Sequence, residues 1–188
     1  MRIILIFVGV LLALLVLTYG ALAWRHGREG ALEKLLGPIE RNPIEFPHLP
    51  LTSKPNQYLV CPKELCTAVA HREAGVYEVS ASELHRAWDE FVTRQPGVTF
   101  LGGDDQSGYY DYEVRTPLLR FPDTVTVWFI PISTTRSTLA VYSRSHYGYS
   151  DGGANKRRVD AWLAELDGLV PRLEEKTTEM PGGDATAQ

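Results

Sequence analysis

A long apolar run near the N-terminus constrains the fold of this chain more than any other feature. The 22 residues from Ile3 to Trp24 carry no charge, and a helix of that length reaches about 33 Å, enough to cross the hydrocarbon core of a bilayer. The A-L-A segment at residues 21–23 resembles the cleavage site of a signal peptide, which is the alternative interpretation. The length of the run, and the single charge before it on Arg2, favour an uncleaved anchor.

The sequence predicts that the 188-residue chain has four parts. These are a transmembrane anchor at 1–25, a juxtamembrane helix and proline-rich linker at 26–55, a folded domain at 56–172 and a disordered tail at 173–188. The prolines of the second part favour an extended chain. This segment therefore either holds the domain roughly 60 Å from the bilayer, at about 3.1 Å per residue, or lies along the domain surface.

The charges that flank the apolar run bear on which side of the membrane the domain occupies. Arg25, Arg28, Lys34 and Arg41 follow the apolar run and only Arg2 precedes it, so the positive-inside rule, applied literally, places the domain in the cytoplasm. An N-terminal signal anchor that feeds an exported domain is the commoner bacterial arrangement. We therefore predict a single-pass inner-membrane protein whose domain lies on the outer, periplasmic face.

Two amphipathic helices and four strands are indicated after the linker. Ser80 and Glu83 form a capping-box pattern, and apolar residues then recur at helical spacing until Pro96. A second helix carries an apolar face between residues 159 and 170. Strands are predicted at 98–101, 108–115, 123–130 and 137–144. Because the connections are short, we expect an α+β domain with a four- to five-stranded antiparallel sheet and both helices packed on one face.

The charge distribution is uneven along the domain. The net charge is −4, so nothing in it suggests a nucleic-acid partner. Between Arg115 and Arg158, however, seven basic residues stand against two acidic ones. This local excess is compatible with a solvated surface or with a site that attracts anions.

The two cysteines, Cys61 and Cys66, lie in the segment VCPKELC. Their separation and the turn favoured by Pro62 predict a small-loop disulfide, which suits an oxidising compartment; inert thiols are the alternative. The spacing is not that of a C-x-x-C redox motif, and no matching histidines complete a zinc site. We predict no metal and no cofactor.

The segment YSRSHYGYSDGGANKRR, residues 142–158, holds most of the polar side chains that could form a site. Its GYSDG matches the G-x-S-x-G pattern of serine hydrolases, but the last histidine, His146, precedes Ser150 and the preceding strand is expected to be antiparallel. Serine hydrolysis is therefore not expected. Ser150 or Asp151 instead suits the N-cap of the second helix, with a helix start near Asp151.

Two interpretations of this segment follow. In the first, Asn155 and Arg158 face the sheet and bond to Ser143, Ser145 and strand-end carbonyls, which fixes the corner between strand and helix. In the second, the helix N-terminus and nearby arginines bind a phosphate, a carboxylate or a lipid head group. The residues predicted to contact such a ligand are Arg144, Ser145, His146, Ser150, Asp151, Asn155 and Arg158.

Three segments together resemble the DUF1499 family: PNQYLVCPKELC, TPLLRFPDTVTV and YSRSHYGYSDGGANKRRVDAWLAEL. The resemblance covers roughly residues 56–166, and it includes an F-P-D strand start and an S-x-S-R-x-G-x-S-D-x-G-x-N-x-x-R signature. His146 departs from that signature, which has arginine at this position. The resemblance implies a membrane-associated or exported domain, supplies no reaction, and points to Asp151, Asn155 and Arg158.

We therefore predict a membrane-anchored cell-envelope domain that binds an anionic ligand, a lipid head group or a protein partner without catalysis. One alternative is a hydrolase-type enzyme that acts on a phosphorylated or anionic substrate. The other is a structural or assembly protein.

Overall fold

The computed structural model describes residues 2–173. Met1 and most of the predicted tail, from residue 174 onward, lie outside the described residues. The elements in chain order are α1 (Arg2–Leu36), a short 3-10 helix (Phe46–His48), β1 (Gln57–Cys61), β2 (Arg72–Glu73), β3 (Val76–Tyr77), α2 (Ala81–Val92), β4 (Val98–Asp104), β5 (Tyr109–Arg115), β6 (Pro122–Pro131), β7 (Ser137–Ser145) and α3 (Ala154–Leu169).

The first helix, α1, consists of two segments that meet at Gly27. Gly27 has a φ of 74°, outside the helical region, so the apolar segment before it and the segment at residues 28–36 are separate helices. The apolar segment is exposed and has a mean hydropathy of 2.8, which makes it long and apolar enough to cross a membrane or to serve as a signal sequence.

The sheet has seven strands, in the order β2-β1-β7-β6-β5-β4, with β3 paired to the beginning of β7. All neighbours are antiparallel except β1 and β2, which are parallel. The predicted sheet is thus only approximately right: the four predicted strands correspond to β4–β7, and β1–β3 were missed. All five residues of β1 are buried, so this strand, which is second from the edge of the sheet, lacks the polar–apolar alternation that marks a half-exposed strand.

Helices α2 and α3 pack together on one face of the sheet, as predicted. Trp88 of α2 is fully buried and meets Trp162 of α3 edge-on, with ring centroids 5.7 Å apart. The capping box is present: the Ser80 hydroxyl accepts from the Glu83 amide, and the Glu83 carboxylate accepts from the Ser80 amide at 3.0 Å. Leu169, expected on the apolar face of α3, is instead exposed.

The proline-rich segment at residues 38–51, here called the strap, lies along the opposite face of the sheet. Phe46 and Leu49 are buried there against Ala140 and Tyr142 of β7. Burial of a large apolar side chain stabilises by about 1.5–3 kcal/mol, so these two anchor the strap to the domain. The structure therefore agrees with the second interpretation of this segment, in which the chain lies along the domain surface.

The juxtamembrane helix, residues 28–36, docks on the loop between β5 and β6. Ala31 is fully buried, Glu29 accepts from Arg120 Nη2 at 2.8 Å, and Arg28 donates to the Leu118 carbonyl at 3.2 Å. Its far end is held by the Tyr147 hydroxyl, which donates to the Gly37 carbonyl at 2.5 Å. The apolar segment of α1 is thereby attached directly to the folded domain.

Candidate functional site

The turn between β7 and α3 is held by the carboxylate of Asp151. Its Oδ1 accepts from the Gly153 amide at 2.8 Å and its Oδ2 from the Asn155 amide at 2.7 Å. Partial burial acts to raise the pKa of Asp151, but these hydrogen bonds outweigh it and hold the pKa below its usual value. The predicted helix start near Asp151 is wrong by about one turn: α3 begins at Ala154, and Gly153, at a φ of 80°, takes the N-cap position.

Asn155 is the centre of a buried polar network, here called the corner. Its Nδ2 donates to the Asn56 carbonyl and to the Ser145 hydroxyl, both at 3.0 Å, and to Asp151 Oδ2 at 2.8 Å. Its Oδ1 accepts from the Ser143 hydroxyl at 2.5 Å and from Arg158 Nη1 at 2.7 Å. The side chain is therefore saturated, which explains how an amide can be 99% buried without an unmet hydrogen bond.

Arg158 links the corner to the start of β6. Its Nη2 pairs with Asp123 Oδ2 at 2.6 Å, and its Nη1 also donates to the Ser143 hydroxyl at 3.0 Å. Both partners of the ion pair are largely buried. Breaking such a pair leaves a buried charge without compensation, so Arg158 and Asp123 are coupled to the stability of the fold.

Asn56 closes the corner from the beginning of β1. Its Nδ2 donates to the Gly148 carbonyl at 3.0 Å, and its carbonyl accepts from the Ser145 amide at 2.9 Å. Asn56 and Asp123 were not among the predicted site residues. Asn56 lies more than 85 residues before its partners, so no local pattern reveals the contact, although both residues stand in segments that carry the family resemblance, Asn56 in PNQYLVCPKELC and Asp123 in F-P-D.

A cleft of about 630 Å³ opens beside the corner, at the end of the sheet where the juxtamembrane helix docks. Its lining residues are Leu36, Thr116, Phe121, Pro122, Asp123, Ser145, His146, Tyr147, Gly148, Ser150, Asp151 and Ala154. Asp123 and Asp151 are engaged by Arg158 and by backbone amides. The wall therefore offers mainly hydroxyl groups and apolar surface, an arrangement suited to an amphiphilic molecule.

The family model described as "Protein of unknown function (DUF1499)" matches residues 52–166, which is more than half of the chain. This chain belongs to the DUF1499 family. No curated protein matches the chain in sequence. The DUF1499 region contains the whole corner and every residue of the cleft except Leu36, which comes from the juxtamembrane helix.

The DUF1499 signature does not converge on one point, because alternate residues of β7 face opposite sides of the sheet. Ser145 joins Asp151, Asn155 and Arg158 on the helix side. Arg144 belongs to the strap side, where it lies over the Tyr142 ring. His146 follows the last residue of β7: its Nε2 lies 2.6 Å from the Thr124 hydroxyl, and the residue also lines the cleft. Ser150 accepts from the Gly152 amide at 3.2 Å and is exposed.

His146 is neutral in this environment. Burial lowers its pKa to about 4, and the nearby cations Arg144 and Arg41 act in the same direction. His146 and Asp151 both line the cleft, but each is bonded to other groups and they form no hydrogen bond with each other. Among residues 2–173, no group of three or more His, Cys, Asp or Glu residues is placed to hold a metal ion.

The structure joins Cys61 and Cys66 by a disulfide, with their Cα atoms 6.3 Å apart. Cys61 ends β1 and is buried beneath the strap, in the cluster that contains Phe46 and Leu49. This bond lies at the opposite end of β1 from Asn56, so it does not touch the cleft.

Proposed function

We propose that this DUF1499 protein is a membrane-anchored, non-catalytic binding domain of the cell envelope, and that its cleft holds a lipid-like ligand with a polar head. One observation carries the proposal. The cleft is lined both by signature residues and by Leu36 of the helix that continues from the anchor. A ligand in the cleft would thus contact the domain and the membrane-proximal helix at once.

The anchor and its docked helix support a position of the cleft close to the bilayer. Only three residues lie between Trp24 and Arg28, so their Cα atoms are at most about 14 Å apart, and Arg28 is bonded to the loop at Leu118. Leu118 is 77% exposed and its neighbour Leu119 is also exposed. With the apolar run spanning the bilayer, this loop would lie at the level of the lipid head groups, where exposed leucines are favourable.

The chemistry of the wall favours an amphiphile over a free, highly charged anion. Phe121, Pro122 and Leu36 supply apolar surface, while Thr116 and Ser145 supply hydroxyls. The carboxylates that line the cleft would repel a multiply charged anion, although internal bonds partly neutralise them. A head group that forms hydrogen bonds and carries an adjoining apolar chain fits this combination.

The outer, periplasmic face is part of the proposal. It rests on the Cys61–Cys66 disulfide, because such bonds persist in oxidising compartments and are rare in the cytosol. A thiol introduced at the exposed Tyr149 (Tyr149→Cys) should react with a membrane-impermeant maleimide on spheroplasts. Labelling that requires lysis of the membrane would place the domain on the inner side instead.

Native mass spectrometry of the full chain, extracted from membranes, tests the proposed ligand. We expect a co-purifying lipid that is lost from Leu36→Gln and retained by Leu35→Gln. These neighbours are similarly exposed, at 51% and 45%, but only Leu36 lines the cleft. Recovery of an empty protein, or equal retention by both variants, would contradict the proposal.

The alternatives give different results in the same preparations. A cleft-dependent hydrolysis of p-nitrophenyl phosphate would favour the enzyme that acts on a phosphorylated substrate. A polypeptide that co-purifies with the parent and with Leu35→Gln, but not with Leu36→Gln, would favour a protein partner. An empty cleft together with Arg158→Ala that fails to fold would favour a structural role for the corner.

A further inference from the structure

A second cavity lies on the other face of the sheet, beneath the strap, and it contains an arginine without a partner. Arg144 is partly buried, and its Nη1 is fully enclosed yet forms no hydrogen bond within the described residues. Its guanidinium carbon lies 5.2 Å from the centre of the Tyr142 ring. Contact with an aromatic face supports a cation but satisfies none of its N–H groups.

The other arginines that the domain partly buries are all neutralised by an acidic side chain. Arg72 pairs with Asp160, Arg115 with Glu113, Arg120 with Glu29 and Arg158 with Asp123. Arg144 forms no ion pair with any acid in residues 2–173. Because an enclosed guanidinium N–H without an acceptor is costly, this exception marks a position where an acceptor from outside the chain can bind.

The space next to Arg144 is large enough for such an acceptor. The cavity measures about 400 Å³, within the range of small-molecule sites. Its walls are apolar at Ile44, Leu49 and Tyr142, and Arg144 supplies the positive charge. Burial lowers the pKa of Arg144, but an arginine keeps its charge at neutral pH in any protein.

Two acids limit the charge of the occupant. Glu40 and Glu45 also line the cavity, and both are exposed to solvent. Neither is bonded to Arg144, so the guanidinium remains free, but their charges disfavour an occupant with two negative charges. A single negative charge on an apolar body matches both the arginine and the walls.

We propose that the cavity beneath the strap binds a monoanionic oxyanion carried on an apolar body, with Arg144 as its charged contact. A carboxylate and a phosphodiester share this chemistry, and either presents two oxygens to the planar guanidinium. The proposed site is separate from the cleft, because Arg144 and the cleft hydroxyl of Ser145 face opposite sides of β7. Binding at this second site can therefore be confirmed or refuted independently of the lipid-like ligand in the cleft.

Titration of the full chain in detergent, followed by NMR of labelled tyrosine rings, tests this proposal. Benzoate represents the carboxylate, diethyl phosphate the phosphodiester and inorganic phosphate a mostly dianionic competitor. We expect saturable shifts of the Tyr142 ring with benzoate or diethyl phosphate, and weaker binding of inorganic phosphate. The monoanion that binds more tightly identifies the charged group of the occupant as a carboxylate or a phosphodiester.

Three variants give the controls. Arg144→Gln should weaken binding by about tenfold or more, and Arg144→Lys by less, because lysine keeps the charge without the planar fork. Arg136→Gln removes an exposed arginine just before the same strand and should leave binding unchanged. Leu36→Gln alters only the cleft and should also bind the monoanions normally.

The stability of Arg144→Gln gives an independent check. If the parent carries an enclosed charge without a partner, this variant should melt close to the temperature of the empty parent, because relief of the enclosed charge offsets the loss of the Tyr142 ring contact. A much lower melting temperature would mean that Arg144 already has an internal partner, and this would overturn the proposal. Equal binding of benzoate and diethyl phosphate to parent and Arg144→Gln, or binding of neither to the parent, would also overturn it.

Discussion

Truncation of Asn155 to alanine should destabilise the domain by much less than its five side-chain hydrogen bonds suggest. Four of the five partners keep another bond: the Asn56 carbonyl keeps the Ser145 amide, Asp151 Oδ2 keeps the backbone amide of residue 155, and Arg158 and the Ser143 hydroxyl keep each other. The buried Ser143 O–H, however, loses its acceptor, and the Ser145 hydroxyl, which is half-buried and lines the cleft, loses its donor.

A buried polar group without its partner costs about 1–3 kcal/mol, which applies to the Ser143 O–H, and the half-buried Ser145 hydroxyl adds up to about 1 kcal/mol, so the predicted loss is about 1–4 kcal/mol. Five independent bonds, at about 1–1.5 kcal/mol each, would predict a loss of about 5–7 kcal/mol. Asn155→Asp should be worse than Asn155→Ala. It places a carboxylate oxygen where Nδ2 now donates to the Asn56 carbonyl and to the carboxylate of Asp151.

Urea denaturation of the full chain in detergent, followed by tryptophan fluorescence, measures these differences, because Trp88 and Trp162 lie in the core beside α3. Lys156→Ala is the matched control: it removes the next side chain of the same helix, whose exposed contacts with Asp160 and the Tyr58 ring should cost no more than about 1 kcal/mol. A loss below about 1 kcal/mol for Asn155→Ala, or Asn155→Asp as stable as Asn155→Ala, would refute this account of the corner.

Three further outcomes are expected. Cys66→Ser should lower the free energy of unfolding by about 2 kcal/mol, as estimated from loop closure over so short a segment, and reduction by dithiothreitol should destabilise the parent equally. The pKa of His146 is lowered from 6.5 to about 4, so between these values the unfolded chain binds a proton that the folded chain does not. The contribution of neutral His146 to the free energy of unfolding should be fully present above pH 6.5, and the free energy should fall by up to roughly 3 kcal/mol as the pH drops towards 4. His146→Gln should abolish that part of the pH dependence in urea titrations. The emission of a polarity-sensitive dye on Leu118→Cys should shift to the blue in lipid vesicles. The emission of the same dye on Val69→Cys, an exposed site that follows the Cys61 end of β1, should not shift. Equal shifts would argue against contact of the Leu118 loop with the bilayer.

Elements with a local signal could be predicted from the sequence. Helix α2 carries its capping box and an apolar stripe within 12 residues, and β5–β7 have clear β-branched or alternating patterns. Ser143 and Ser145, two partners of Asn155 and Arg158, could also be anticipated, because a helix start beside a strand end brings a limited set of serines within reach, whereas the partners Asn56 and Asp123 could not. These features depend on residues that are near each other in the chain.

Features that depend on distant residues could not be predicted. The strap is recognisable as proline-rich, but only the fold shows that Phe46 finds a buried site beside Ala140. The separation of Arg144 from Ser145 and the rest of the signature follows from strand alternation. The cavity that leaves Arg144 without a partner, however, exists only once the strap has folded over the sheet.

The position of β1 between β2 and β7 has a consequence for biosynthesis. Gln57 faces Arg144, so β1 emerges from the ribosome more than 80 residues before the strand that covers it. At about 5–20 residues per second, the strand waits on the order of 5–15 s with its apolar side chains unpaired. The bond between Cys61 and Cys66 is covalent and needs no part of the chain beyond Cys66, so on the proposed outer face an oxidase can act on this segment before the sheet exists. The order of events would then be anchor, disulfide, sheet and finally the corner, which closes only when Asn155 has been made.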